Sequence, residues 1–236
     1  MILTIHQPAY LPWPGYFHRL MLADTFVFFD NTQFEKNSFI NRNKIKTPRG
    51  AQWLTVPVSL KGHLEKEIRE IEISGQAWRK DHWQAIELNY KKAKYWNKYS
   101  EKLKKFYEKP YSNIAEACFA QLKMFAEMLG VETKIIGASE LKKFDSKKDD
   151  LVLDICKELS ADLYISGSQG KGYLDLEKFK TQGVKVYFQD YQHPAYQQLW
   201  GEFLPNLSII DLLFNEGPKS KEIILKNNIT KDKLYE

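Results

Sequence analysis

Cysteine is scarce: Cys118 and Cys156 are the only two in 236 residues. Two thiols build no disulfide framework, and neither sits in a zinc-ligand spacing. Long hydrophobic runs are also missing. None approaches the roughly 18 to 20 residues that cross a bilayer. The opening MILTIHQPAYLPW has no basic flank, and its apolar stretch is too short for a secretory signal. His6, His18, His63, His82 and His193 form neither an i,i+4 pair nor an H-E-x-x-H pattern, so no metal site is expected. The chain lacks a G-x-S-x-G nucleophile elbow, a P-loop and a complete G-x-G-x-x-G. What remains is a chain expected to be soluble and cytoplasmic, with no membrane span.

What is present is ordinary globular material, 43% hydrophobic and 28% charged, enough for one large core or for two small domains sharing an interface. The net charge of +5 would suit nucleic acid. Much of the basic excess lies in 91–109, however, which reads as a solvated helix surface. A phosphate-bearing small molecule fits the balance equally well. Nucleic acid is therefore not the expected partner, and the oligomeric state is left open.

Residues 2–5 are a short β-branched run that stops at a proline- and glycine-rich loop, 6–15. Helical spacing follows over 15–23, and a continuous apolar run over 25–29 fits a strand buried on both faces. Strand, loop, helix and strand in thirty residues predict a βαβ unit. A polar stretch, 31–50, reads as a long loop. Strands are predicted at 53–58 and 67–73, joined by a hairpin loop at 59–66. Helices are predicted at 81–92, 96–107 and 112–129, with Pro110 as the break. The alternation then resumes with strand 132–136, helix 148–159, strand 161–165, a glycine loop at 166–172, helix 173–181 and strand 184–188. Helices near 208–214 and 219–226 end the chain. The predicted fold is α/β with a mainly parallel, Rossmann-like sheet, one domain over 1–236 carrying a helical insertion or cap at 76–130.

In such sheets ligands bind beyond the carboxyl ends of the strands, and three polar loops follow predicted strands. The first holds three prolines in ten residues and would present His6 and Gln7 rigidly, with Tyr10 and Trp13 beside them. His6 could act as acid, base or donor to a developing charge. It could equally cap the first strand. The second runs from Asp30 through Gln33 to Asn41, Arg42 and Lys44. Asp30 would bring a carboxylate to a cleft, and Arg42 a bidentate fork for an anion. A solvated loop tethered by Asx-turns is the plainer alternative. The third contains Ser166, Gly167, Gly170 and Tyr173, where glycines let backbone amides approach a ligand. Farther on, Gln189, Tyr196, Gln198 and Asp211 supply polar groups, although Asp211 could be a local helix-cap partner. Cys118 and Cys156 fall inside predicted amphipathic helices and are expected to be core residues.

HQPAYLPWPGYF at 6–17, FFDNTQFEKNSFINRNKIK at 28–46 and WLTVPV at 53–58 together resemble the WbqC-like family of bacterial proteins. The likeness continues through YISGSQGKGYLD at 164–175, FQDYQHPAYQQ at 188–198 and FLPNLSIIDLLFNEG at 203–217. It spans nearly the whole chain and is weakest across the helical middle. The resemblance implies a place in surface-polysaccharide and O-antigen synthesis. Some members carry the label of glycine or aminoacyl transferase on amino sugars. The first strand, His-containing loop and helix are also similar, more distantly, to nucleotidylyltransferases of the HUP type, which would bring in ATP with Mg. The loop reads His6-Gln7-Pro8, however, and lacks the second histidine of an H-x-G-H motif.

The expectation is an amide-forming acyl or aminoacyl transferase, or an ATP-dependent amide ligase, acting on an amino-sugar nucleotide. His6, oriented by Gln7, would stabilise or protonate the reacting centre, and Asp30 would be the base. Arg42 and Lys44 would grip the diphosphate, with the loop 166–173 cradling the rest. Two alternatives stay open: a non-catalytic nucleotide-sugar or nucleic-acid binding module, and a nucleotidyltransferase of other specificity.

Overall fold

The computed structural model describes residues 1–235. Its centre is a five-stranded parallel sheet formed by β1 (Ile2–His6), β2 (Thr25–Phe28), β5 (Lys134–Gly137), β6 (Leu163–Ser166) and β7 (Lys185–Phe188). The spatial order β5-β2-β1-β6-β7 places the first strand in the middle. Chain connections therefore leave β1 and β6 in opposite directions, which makes the gap between them the topological switch point of a Rossmann-like sheet.

Alternation along the strands sorts the two faces. Leu3, Ile5, Val27 and Tyr164 pack under α5 (Lys148–Glu158) and α6 (Leu176–Thr181) with Val152, Ile155 and Phe179. Phe26 and Phe28 face the other way, onto Tyr16, Phe17 and Leu20 of α1 (Pro14–Leu22) and onto α4 (Ile114–Met128). Pro14 opens α1, where a missing N–H costs nothing. The helices α2 (Ala77–Tyr90), α3 (Trp96–Glu108) and α4 fall where helices were expected, and Asn113 caps α4 by accepting from the amide of Glu116. They join the core on the α1 side together with α7 (Ile209–Glu216) and α8 (Ser220–Leu225).

The structure corrects the sequence reading between 31 and 73. The polar stretch is not one loop. It contains β3 (Arg42–Thr47), paired antiparallel with β4 (Gly50–Thr55), and this hairpin replaces the one expected across 59–66. β4 ends before Pro57, whose missing donor cannot continue a ladder. Residues 67–73 are not a regular strand either. Ile68–Glu70 is a 3₁₀ turn, flanked by the isolated antiparallel bridges Gln33–Glu67 and Val58–Ile73. Ile68 and Ile71, both fully buried, are three residues apart, which is the repeat of that turn and not of a strand. The glycine loop likewise holds a 3₁₀ turn, Ser168–Gly172, so α6 begins at Leu176 and not at 173.

Candidate functional site

The carboxyl edge of the sheet collects the first group of expected residues. His6 ends β1 on the α1 side, with its ring 4.4 Å from that of Tyr16. Its Nδ1 lies 2.8 Å from the carbonyl of Gln7, which can only accept, so Nδ1 carries a proton and Nε2 is left without a partner in the chain. The side-chain amide of Gln7 donates to Thr32 Oγ1 at 3.0 Å, tying the β1 loop to the segment after β2. The amide of Phe29 donates to the carbonyl of His6 at 2.9 Å, so Asp30 leaves the sheet beside it.

Asp30 is half-buried, and its Oδ1 is a buried acceptor without a partner. Loss of hydration raises its pKa above the ordinary carboxylate value. Arg69 opposes that shift, while Glu67 and Glu140 add to it. These neighbours come from outside the expected set. The amide of Arg69 donates to the carbonyl of Asp30 and that of Ile68 to Thr32, so the 3₁₀ turn fastens onto 30–32. Gln33 lies on the outside of this junction and donates to the carbonyl of Leu64.

Across the switch point, β1 and β6 run in register with Thr4 beside Ile165. Two residues farther, that register sets His6 opposite Gly167. Ser166 is buried with its Oγ against Gly170, where a Cβ would come within 2.1 Å of it. Gln189 closes the other side by donating its amide to the carbonyl of Ser166. Under Gly167 lies a residue that sequence reasoning missed. Nη1 of Arg19 stands 2.8 Å from where a Gly167 Cβ would be, so a side chain there would press on the guanidinium. Arg19 is 7% exposed, its Nε has no partner, and burial lowers its pKa to about 10. The ionisable groups that bear on it are the phenols of Tyr164 and Tyr173, with no carboxylate among them. Tyr173 is 51% exposed at the rim. Arg19 sits at the end of an ordinary amphipathic helix, and nothing in its spacing marks it. The one signal was a basic residue on the face that Tyr16 buries.

The remaining candidates are placed elsewhere. Arg42 and Lys44 project from one face of β3, their cationic ends 4.7 and 4.8 Å from the ring of Trp53, and Arg42 also donates to the carbonyl of Asn37. Asn41 and Asn43 spend their side-chain amides on the carbonyls of Val56 and Leu11. Tyr10 is fully buried, with its hydroxyl 2.7 Å from His82 Nδ1 and 2.8 Å from the Tyr107 hydroxyl. Trp13 packs edge-on against Tyr191. The Gln189 amide nitrogen bonds the carbonyl of Gly15 and Nδ1 of His18, which leaves His18 Nε2–H for the carbonyl of Ile229.

Asp211 is fully buried, accepting from the hydroxyls of Tyr90 and Tyr196 at 2.8 and 2.9 Å. Burial pushes its pKa to about 6 against those bonds and the charge of Lys46. Gln198 links Lys46 to the backbone of Leu204. Tyr196, Gln198 and Asp211 therefore form an internal cluster with Lys46, another residue the sequence did not single out.

Among the described residues, no group of three or more His, Cys, Asp or Glu side chains gathers as a metal-binding cluster. No helix among them is long and apolar enough to cross a membrane. A groove of about 450 Å³ lies at the opposite, amino edge of the sheet, lined by Asp24, Thr133, Lys221 and Lys231 among others. Lys231 and Asp24 already pair there at 2.5 Å. Arg19 Nε, Asp30 Oδ1 and Asn31 Oδ1 are left without partners at the carboxyl edge, which is where we place the site.

Comparison with known proteins agrees with the sequence motifs. An uncharacterised protein of Mycobacterium tuberculosis, Rv1507c, is 35% identical over 223 residues, covering 94% of this chain and 96% of that protein. No solved structure matches the chain. The profile of the WbqC-like protein family matches residues 7–223, nearly the full length, from the second residue of the first polar loop through the other two. The chain belongs to the WbqC-like protein family.

Proposed function

We propose that the protein transfers an acyl or aminoacyl group to the amine of an amino-sugar nucleotide during surface-polysaccharide synthesis. The observation that carries this reading is Asp30: a half-buried carboxylate with a raised pKa and an unpartnered oxygen, one strand from a histidine whose Nε2 is free to exchange a proton. Attack by a sugar amine on an activated carboxyl needs a base to take the ammonium proton and an acid for the leaving group. Asp30 takes the proton as the C–N bond forms. The imidazolium of His6 returns one from Nε2 to the departing group, while Nδ1–H stays on the carbonyl of Gln7. Gln7 holds the two loops in place through Thr32.

The donor is unassigned, and the proposal routes no step through ATP or Mg. Incubating the protein with amino-sugar nucleotides and glycine, with and without ATP and Mg, and weighing the products tests the reading. His6→Asn and Asp30→Asn should each slow product formation by roughly 10² to 10⁴-fold. Unchanged rates in both variants remove the assigned roles. Tight nucleotide-sugar binding with no product under any of these conditions would favour the carrier alternative.

A further inference from the structure

We propose that Arg19 and the loop beginning at Gly167 form the seat for a phosphoryl group, the diphosphate of a nucleotide substrate. The guanidinium is buried, its Nε donates to nothing, and no carboxylate accompanies it. A cation removed from water at that depth has to be compensated by something. Arg19 stands in the last turn of α1, but its guanidinium reaches back to Gly167 at the carboxyl edge, away from that helix's free carbonyls, and its Nε donates to no atom of the chain.

The glycine above it keeps the approach open. At 167 a side chain would collide with Nη1, so this position stays bare between the guanidinium and the cleft. The 3₁₀ turn from Ser168 to Gly172 then curls over, with Lys171 stacked above the ring of Phe188 and the half-exposed Tyr173 at the rim. The groups around the seat are a guanidinium, an ammonium, hydroxyls and backbone, with the Asp149 carboxylate bearing on Tyr173 at the rim. This is a donor set for a phosphate, which accepts on several oxygens at once, and Arg supplies two parallel N–H bonds to it. By strand register the seat is one strand spacing, roughly 5 Å, from His6, so a phosphate held there places the attached sugar along the edge toward Asp30. The inference deepens the transfer reading by saying where the substrate's phosphate goes. Its test requires no turnover.

Titration calorimetry with pyrophosphate and with UDP measures the seat directly, with acetate and uridine as controls. Binding of both phosphate probes is expected, with little heat from acetate or uridine. Arg19→Met should weaken both phosphate probes at least tenfold, Arg19→Lys less, and Gly167→Ala should weaken them by displacing the guanidinium. Urea unfolding without ligand separates this role from a structural one: Arg19→Met should unfold at the same or a higher midpoint than the parent. Phosphate affinity retained within twofold in Arg19→Met overturns the proposal, as does a lower midpoint for that variant. Acetate binding as tightly as pyrophosphate through Arg19 overturns the phosphoryl assignment. Turnover that survives loss of the seat leaves the transfer reading standing, and phosphate binding without any turnover leaves the seat standing.

Discussion

Among the described residues one arginine and one lysine are buried, and the chain treats them in opposite ways. Lys46 is 1% exposed, and its ammonium donates to Gln198 Oε1 at 2.9 Å and to the carbonyl of Glu202. Asp211 stands in the same cluster with both oxygens occupied by tyrosine hydroxyls, and the Tyr90 hydroxyl in turn accepts from the amide of Lys46. Arg19 is nearly as buried, and its Nε has no partner. Desolvation of a charge costs several kcal/mol wherever it happens. In the first region the fold supplies the compensation, which fixes the extended 189–206 segment to the hairpin. In the second the compensation is left to something that arrives. A closed polar network is a structural joint, whereas an open one is a binding site.

The largest expected effect tests that contrast directly. Lys46→Met leaves the Asp211 carboxylate buried without its nearby cation and should cost about 3 kcal/mol, the lower range for breaking a buried charged network. Arg19→Met removes an uncompensated charge and should be as stable as the parent or more stable. Urea midpoints of the two variants at neutral pH measure both. Equal losses would erase the distinction between joint and site.

A second test uses protons. Burial raises the Asp211 pKa to about 6, so its folded form holds a proton that the unfolded chain has released. Its contribution is full below the ordinary carboxylate pKa and is lost as pH rises through about 6. His82, buried between the Tyr10 hydroxyl and the backbone of Thr55, is pushed down to about 4. Its contribution is full above the ordinary histidine pKa and is lost as pH falls through about 4. Each shift corresponds to about 3 kcal/mol, and the two oppose each other across the interval from pH 4 to 6. The parent should therefore show a shallow pH profile there. Asp211→Asn should make stability fall steeply on acidification, and His82→Gln should make it rise. Parallel profiles for all three proteins would show that neither group titrates as its surroundings imply.

The same contrast explains what could be read from the sequence. The parallel sheet was legible because β1, β2 and β6 are apolar runs with short connections, and hydrophobic burial on both faces leaves that pattern. Strand β3 was not, because RNKIKT turns Asn43 and Lys46 inward. Their partners, the Leu11 carbonyl and the Gln198 side chain, lie 32 and 152 residues away. Local composition cannot reveal a polar residue whose bond is completed from so far off. His6, Gln7 and Asp30, which carry the proposed transfer, stood out because rigid or polar loops follow apolar strands. Arg19 could not, since its meaning depends on a glycine brought above it by the order of strands. Tyr196, Gln198 and Asp211 looked like ligand groups in the sequence for the same reason: only the fold reveals that they bind one another.

The smallest effect probes the seam between the two regions. Gly15 lies where Trp13 folds back on α1, and a Cβ there would come within 2.2 Å of the indole. The carbonyl of Gly15 accepts from Gln189, whose backbone reaches Ser166 on the open edge, while the neighbouring Pro12 carbonyl accepts from Ile209 on the closed side. Ala at this position must push the indole off Tyr191, a rigid displacement with no flexible side-chain end to absorb it. The expected cost is about 1–2 kcal/mol, as for a small overpacking change in a filled core. Because α1 itself need not move, pyrophosphate affinity should change less than threefold in the same variant. A Gly15→Ala protein as stable as the parent would show that Trp13 swings freely. A large fall in phosphate affinity would show that the joint and the seat move as one, and the two regions would then have to be treated as a single coupled site.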